Sequence, residues 1–129
     1  MRVTVAVTGA SGAIYARQLV ERLVESGVEV ELIFTHNAEC VVRCENEDRL
    51  FNFSEVKYLN NDDFFTAPAS GSSCSDAMVI IPCSMGMVGR IASGCSDDLI
   101  SRAADVMLKE RHTLIVVPRE TPLNSIHLR

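Results

Sequence analysis

The chain has 129 residues, 47% of them hydrophobic and 22% charged, with a net charge of −5. That length makes one domain able to bury roughly two thirds of its unfolded surface. The acidic balance repels nucleic acid, no basic run or aromatic stripe offsets it, and no run of 18 uncharged apolar residues offers a membrane-spanning helix.

Val3-Thr4-Val5-Ala6-Val7 opens the chain as a β-branched strand that Thr8-Gly9 ends. A strand this close to Met1 leaves no room for a secretory leader, so a cytoplasmic protein is expected. Residues 12–26 carry Ala16, Leu19, Val20, Leu23 and Val24 at helical spacing, with Arg17, Glu21, Arg22 and Glu25 opposite and Gly27 placed as the residue past the helix end. Residues 28–34 read as a second strand and 36–45 as a second helix. Residues 46–75 are irregular, with loops at Asn60-Asn61-Asp62-Asp63 and Pro68-Ala69-Ser70-Gly71-Ser72-Ser73. Ala77-Met78-Val79-Ile80-Ile81 is an unbroken apolar strand, the pattern of burial on both faces. Helices are predicted over 86–94 and 97–111, the latter opened by Ser96-Asp97-Asp98 as an N-cap with acid at the positive end of the dipole. Residues 113–117 read as another buried strand, stopped by Pro118, and residues 124–129 as the first turns of a further helix. This alternation predicts an α/β domain with a parallel sheet and right-handed crossovers.

Five cysteines, an odd number without a CxxC pair, read as reduced free thiols and not as a zinc site. His36, His112 and His127 are scattered without metal spacing and are read as non-catalytic.

Polar groups gather where strands end, the edge at which open α/β sheets bind ligands. Thr8-Gly9-Ala10-Ser11-Gly12-Ala13 follows the first strand. It fits either a tight turn with Ser11 as a helix cap or a loop that brings backbone close to a phosphate, and its spacing matches neither GxGxxG nor a Walker loop. Pro82-Cys83-Ser84-Met85-Gly86-Met87 repeats the theme, and Pro118-Arg119-Glu120-Thr121-Pro122 sets a charged pair between prolines, either a surface ion pair or part of a site. Arg102, Asp105 and Lys109 suit intrahelical ion pairs, while Arg102 and Lys109 also share a face that could hold a phosphate.

These segments, with Glu110-Arg111 through Val117-Pro118-Arg119-Glu120-Thr121-Pro122-Leu123 and Ile126-His127-Leu128, resemble the UbiX-type flavin prenyltransferases along the whole chain, most specifically over residues 96–129. The resemblance implies a Rossmann-like (flavodoxin-like) parallel sheet flanked by helices, a single flavoprotein domain over 1–129 with the family's C-terminal part missing, and a homo-oligomer, trimer or dodecamer. The implied reaction joins a dimethylallyl group from dimethylallyl monophosphate to N5 and C6 of reduced FMN, without metal. Its product is the prenylated flavin of UbiD-type decarboxylases, and the implied setting is ubiquinone biosynthesis or aromatic-acid decarboxylation.

Carried over by position, Gly9, Ala10, Ser11, Thr35, Ser84, Met85, Gly86, Met87 and Arg119 match FMN contacts. Ser70, Gly71, Arg102, Lys109, Arg119 and Glu120 match the pocket of the allylic phosphate. Ser11, Glu45, Lys109 and Glu120 match the catalytic positions: Ser11 and Glu45 for proton transfer at the flavin, Lys109 among the cations at the leaving phosphate, and Glu120 as its proton donor. The alternatives are an FMN-dependent decarboxylase of the same fold, acting on a peptide cysteine or phosphopantothenoylcysteine, and a non-enzymatic FMN-binding fragment.

Overall fold

The computed structural model describes residues 1–71 and 74–119; Glu120 and the helix expected from residue 124 lie outside the described residues. Among the described residues, strands β1 (Arg2–Val7), β2 (Glu29–Phe34), β3 (Val56–Asn60), β4 (Ala77–Cys83) and β5 (Thr113–Pro118) form one sheet in the order β3-β2-β1-β4-β5. Every neighbouring pair is parallel. The connecting helices are α1 (Ala13–Glu25), α2 (His36–Cys44), α3 (Met85–Ala92) and α4 (Leu99–Lys109). This is the predicted α/β architecture, and no helix among the described residues is long and apolar enough to cross a membrane.

Alternation of side chains along the strands divides the core in two. Val3, Val5, Val7, Val30 and Leu32 face Ala16 and Val20 of α1 and Val42 of α2. Ala6, Ile33, Met78 and Ile80 face Leu99, Ile100, Ala103 and Met107 of α4. Each of the larger apolar side chains contributes about 1.5–3 kcal/mol by leaving water. Gly27 ends α1 as predicted, at φ +76°, with Gly27 N–H donating to Val24 O and Val28 N–H to Leu23 O.

Two elements depart from the sequence reading. Residues 46–75 contain an edge strand, β3, whose inward residues are Val56 and the partly buried Leu59, too few to raise an alternating signal. β5 was expected to be buried on both faces. Leu114 and Val116 pack against the α4 side, but Ile115 and Val117 are 47% and 38% exposed, because among the described residues β5 is the outermost strand on its side and only one of its faces is covered.

Candidate functional site

The chain winds outward from β1 through β2 to β3, then resumes on the other side of β1 with β4 and β5. The reversal leaves a crevice beyond the carboxyl ends of β1 and β4, the usual ligand position in such sheets. Two residues shape it. Thr8, buried at the tip of β1, donates its hydroxyl to Pro82 O (2.7 Å) and accepts from Ser84 N–H (2.8 Å), tying the two strand tips together. Gly9 backs onto α2: a Cβ there would lie 2.7 Å from Asn37 Cβ, so only glycine lets the β1 loop pass.

Ser11, Gly12 and Ala13 form the entry to α1. Gly12 is the N-cap residue, at φ +120°, and its position has no side-chain cap of its own. Ser11 therefore does not cap the helix, the bland alternative of the sequence reading. The cap comes from Glu45, at the end of α2, whose carboxylate accepts from Ser11 Oγ (2.8 Å), Ala13 N–H (3.0 Å) and Gly12 N–H (3.3 Å). A carboxylate on a helix N-terminus is stabilised by the unpaired amides and the dipole. The Ala13 amide does most to hold the Glu45 carboxyl below its ordinary pKa; burial opposes this, and Ser11, Gly12 and the charge of Arg119 add to it. Glu45 is thus ionised at neutral pH and oriented as a proton acceptor toward Ser11.

The other edge residues arrive on separate elements. Thr35 caps α2 through Ala38 N–H (3.0 Å), and Ser84 caps α3 through Met87 N–H (3.2 Å). Arg119, the residue after β5, donates its N–H to Cys83 O (3.0 Å). Hydroxyls and helix amides thus ring the crevice with Arg119 at one side, a donor set suited to a phosphorylated, hydrogen-bonding ligand. Cys83 faces the core, and burial pushes its thiol up to about 11. An open cavity of about 330 Å³ flanks this edge between Phe34, Phe51, Tyr58 and Asn61.

The predicted phosphate residues are not all gathered here. Arg102 lies in the first turn of α4, 3.7 Å from Asp105, the intrahelical pairing anticipated from spacing. Lys109 closes the same helix, about 10 Å further along its axis. Gly71 backs onto Glu110 just past that end, so the Ser70-Gly71 loop sits at the amino edge of the sheet. A six-residue strand, roughly 20 Å, separates that edge from Arg119.

A family model described as Flavoprotein matches residues 1–125. The flavin prenyltransferase UbiX of Methanocaldococcus jannaschii is 46% identical over 133 residues, covering 99% of this chain and 70% of the relative. The chain belongs to the flavin prenyltransferase family. A crystal structure of AnUbiX (PadA1) in complex with FMN and dimethylallyl pyrophosphate superposes on this prenyltransferase-family chain with a TM-score of 0.88 at 41% identity, over 99% of this chain and 69% of that one. A dodecameric FMN-dependent Ubix-like decarboxylase from Escherichia coli O157:H7 gives a TM-score of 0.88 at 37% identity, over 99% and 72%. Peptidyl-cysteine decarboxylase EpiD, at 19% identity and a TM-score of 0.65, shares the fold alone.

The sequence marks Thr8 only as the start of the Thr8-to-Ala13 segment and Asn61 only as a loop residue, and it gives no sign of the cap made by Glu45. Asn61 is buried and accepts from Ile100 N–H (3.0 Å) while donating to Asp98 Oδ2 (3.0 Å), which fastens the start of α4. The only local signals were a hydroxyl at a strand tip and an amide side chain in a turn, both common where no site exists.

Proposed function

We propose that the chain binds FMN across the tips of β1 and β4 and belongs to an enzyme that transfers a dimethylallyl group from dimethylallyl monophosphate to reduced FMN. The observation that carries this reading, beside family membership, is the Ser11–Glu45 pair at the switch point with Arg119 close by. FMN fits the residues present: Ser11, Thr35, Ser84 and the amides opening α3 offer donors to phosphate and ring edges, at a loop that Gly9 allows to pack close against α2. Ala10, Met85 and Gly86 complete that surface, whereas Met87, expected among the FMN contacts, is fully buried in the core beneath it and its amide binds Ser84 Oγ. When bound, reduced FMN supplies the nucleophilic N5 and C6.

The chain's own residues then have distinct tasks. Ser11 Oγ can take up a proton as it passes its own to the ionised carboxylate of Glu45. Arg119 offsets charge that develops on the departing phosphate, and preorganised cations are effective there because they need not reorganise. Arg102 and Lys109 are assigned to one allylic phosphate, since long side chains about 10 Å apart on one face of α4 can converge on a group between them, with Ser70 and Gly71 beside the Lys109 end. Because the length of β5 separates that end from Arg119, we assign the phosphate pocket to a site completed by a neighbouring copy in a homo-oligomer, a trimer or a dodecamer. Glu120 is assigned as the acid that protonates the leaving phosphate, and a UbiD-type decarboxylase in the cytoplasm as the recipient of the product. The cysteine-decarboxylase alternative has fold similarity alone behind it.

The test is anaerobic incubation of the protein with reduced FMN and dimethylallyl monophosphate, followed by mass spectrometry of the released flavin. The expected result is a flavin heavier by one C5 prenyl unit. Unmodified FMN at saturating donor, under conditions where a known prenyltransferase converts it, would refute the assignment.

A further inference from the structure

Glu45 stands at the end of α2, yet its carboxylate works at the start of α1, so something must hold the intervening turn in place. Backbone geometry supplies part of the answer. After α2, Asn46 N–H donates to Arg43 O and Glu47 N–H to Val42 O, with Asn46 at φ +58°. This is the six-residue helix ending in which a left-handed residue, often glycine and sometimes asparagine, turns the chain away.

The turn is also fastened from the side. Glu47, two residues beyond Glu45, forms a short ion pair with Arg17 Nε. Arg17 lies one helical turn after Ala13, so α1 meets the 45–47 turn twice: Ala13 N–H binds Glu45 and the Arg17 guanidinium binds Glu47. Arg17 is steadied from its other side by Glu21 (3.1 Å), which Arg49 also approaches (3.4 Å). The Arg17 and Glu47 side chains are only 24% and 15% exposed, which shields the pair from solvent better than an ordinary surface contact.

We propose that Arg17 is a positioning residue for the reaction, clamping Glu47 so that the Glu45 carboxylate stays on the α1 N-terminus beside Ser11. This rests on the proton-accepting role given to Glu45 above. The side-chain partners of Arg17 among the described residues, Glu47 and Glu21, are not residues proposed to meet the flavin. The clamp fixes where the turn sits against α1, a rigid-body degree of freedom that the α2 helix ending does not constrain.

Two substitutions test it: Arg17→Met, which keeps the aliphatic stem, and Glu47→Gln, which removes the other half of the pair. Arg17→Lys is the conservative rescue. The first readout needs no flavin: amide exchange at Ala13 and Gly12, with ¹³C-detected titration of the Glu45 carboxyl. The groups that can move that titration are Ser11, Gly12 and Ala13 from α1, Arg119 after β5, and the Arg17–Glu47–Glu21–Arg49 row. Both variants should speed Ala13 exchange on the order of tenfold and raise the Glu45 titration toward the ordinary carboxylate value, and the lysine variant should recover part of each. In the flavin-loaded enzyme, kcat should fall about 10- to 100-fold, the scale of a small misplacement of a catalytic group, with FMN affinity within about twofold of the parent. The double variant should lose no more than either single one. Unchanged Ala13 exchange and Glu45 titration in both single variants, with melting temperatures showing them folded, would overturn the proposal. Glu45→Gln separates the two ideas: if it turns over at the parent rate, Glu45 has no proton role, while exchange at Ala13 still decides whether Arg17 holds the turn.

Discussion

Replacing Thr8 by valine tests the physical basis of the crevice with almost no change in shape. The hydroxyl makes two bonds, donating to Pro82 O at 2.7 Å and accepting from Ser84 N–H at 2.8 Å, and the residue is 2% exposed. Valine keeps the volume and the β-branching but offers no oxygen. Pro82 O retains the Thr8 backbone amide, at 3.3 Å, whereas the Ser84 amide loses its acceptor in a partly buried position. Two lost hydrogen bonds at about 1 kcal/mol each, with part of the desolvation penalty of an unpaired N–H, give about 2–3 kcal/mol. For a domain of this length that corresponds to a fall of roughly 6–12 °C in melting temperature, measurable by calorimetry or circular dichroism. Thr8→Ser keeps the oxygen and sacrifices only a methyl group, about 1 kcal/mol. Because Ser84 opens α3 and caps it, Thr8→Val should also weaken FMN binding while Thr8→Ser should not. A valine variant no less stable than the serine variant would refute the view that this hydroxyl couples β1 to β4.

Gly9→Ala places a Cβ 2.7 Å from Asn37 Cβ and should destabilise by about 1–3 kcal/mol, read from the denaturation midpoint, because α2 must shift to accept it. The Glu45 carboxyl is held below its usual pKa, so its contribution to stability is complete above the unfolded value near 4.5 and disappears as pH falls through the lower folded value. Glu45→Gln should therefore flatten that acid portion of the stability curve and leave the slope above it unaltered. Cys83, with its thiol pushed up to about 11 by burial, should resist iodoacetamide at pH 8 while exposed Cys40, Cys44 and Cys95 react, an order that peptide mass mapping can check.

Residue order alone was enough for the class of fold and for the sheet edge at which polar groups gather. β4 is an unbroken apolar run from Ala77 to Ile81, and β1 is broken only by Thr4 between Val3 and Val7, because both faces of a central parallel strand are covered, and α1 shows its core stripe because Ala16 and Val20 recur at helical spacing. Clusters such as Thr8-Gly9-Ala10-Ser11 and Pro82-Cys83-Ser84 stood out for a related reason: a strand that ends in glycine and hydroxyls has stopped serving the core. Residue types and local period carry that information, and they carried little for β3, where partial exposure blurs the alternation that marks a strand. β5 was legible as a strand, and only the exposure of Ile115 and Val117 was not.

Which distant side chains meet depends on how the elements pack. Nothing local to Glu45 indicates that it caps a helix beginning 32 residues earlier, since the α1 amides become its partners only when α2 packs beside α1. The same holds for Thr8, whose partners lie 74 and 76 residues away across the β1–β4 pairing. Arg102 and Lys109 show the converse. Their seven-residue spacing alone puts them on one face of α4, about 10 Å apart along its axis, and that relation was legible without the fold.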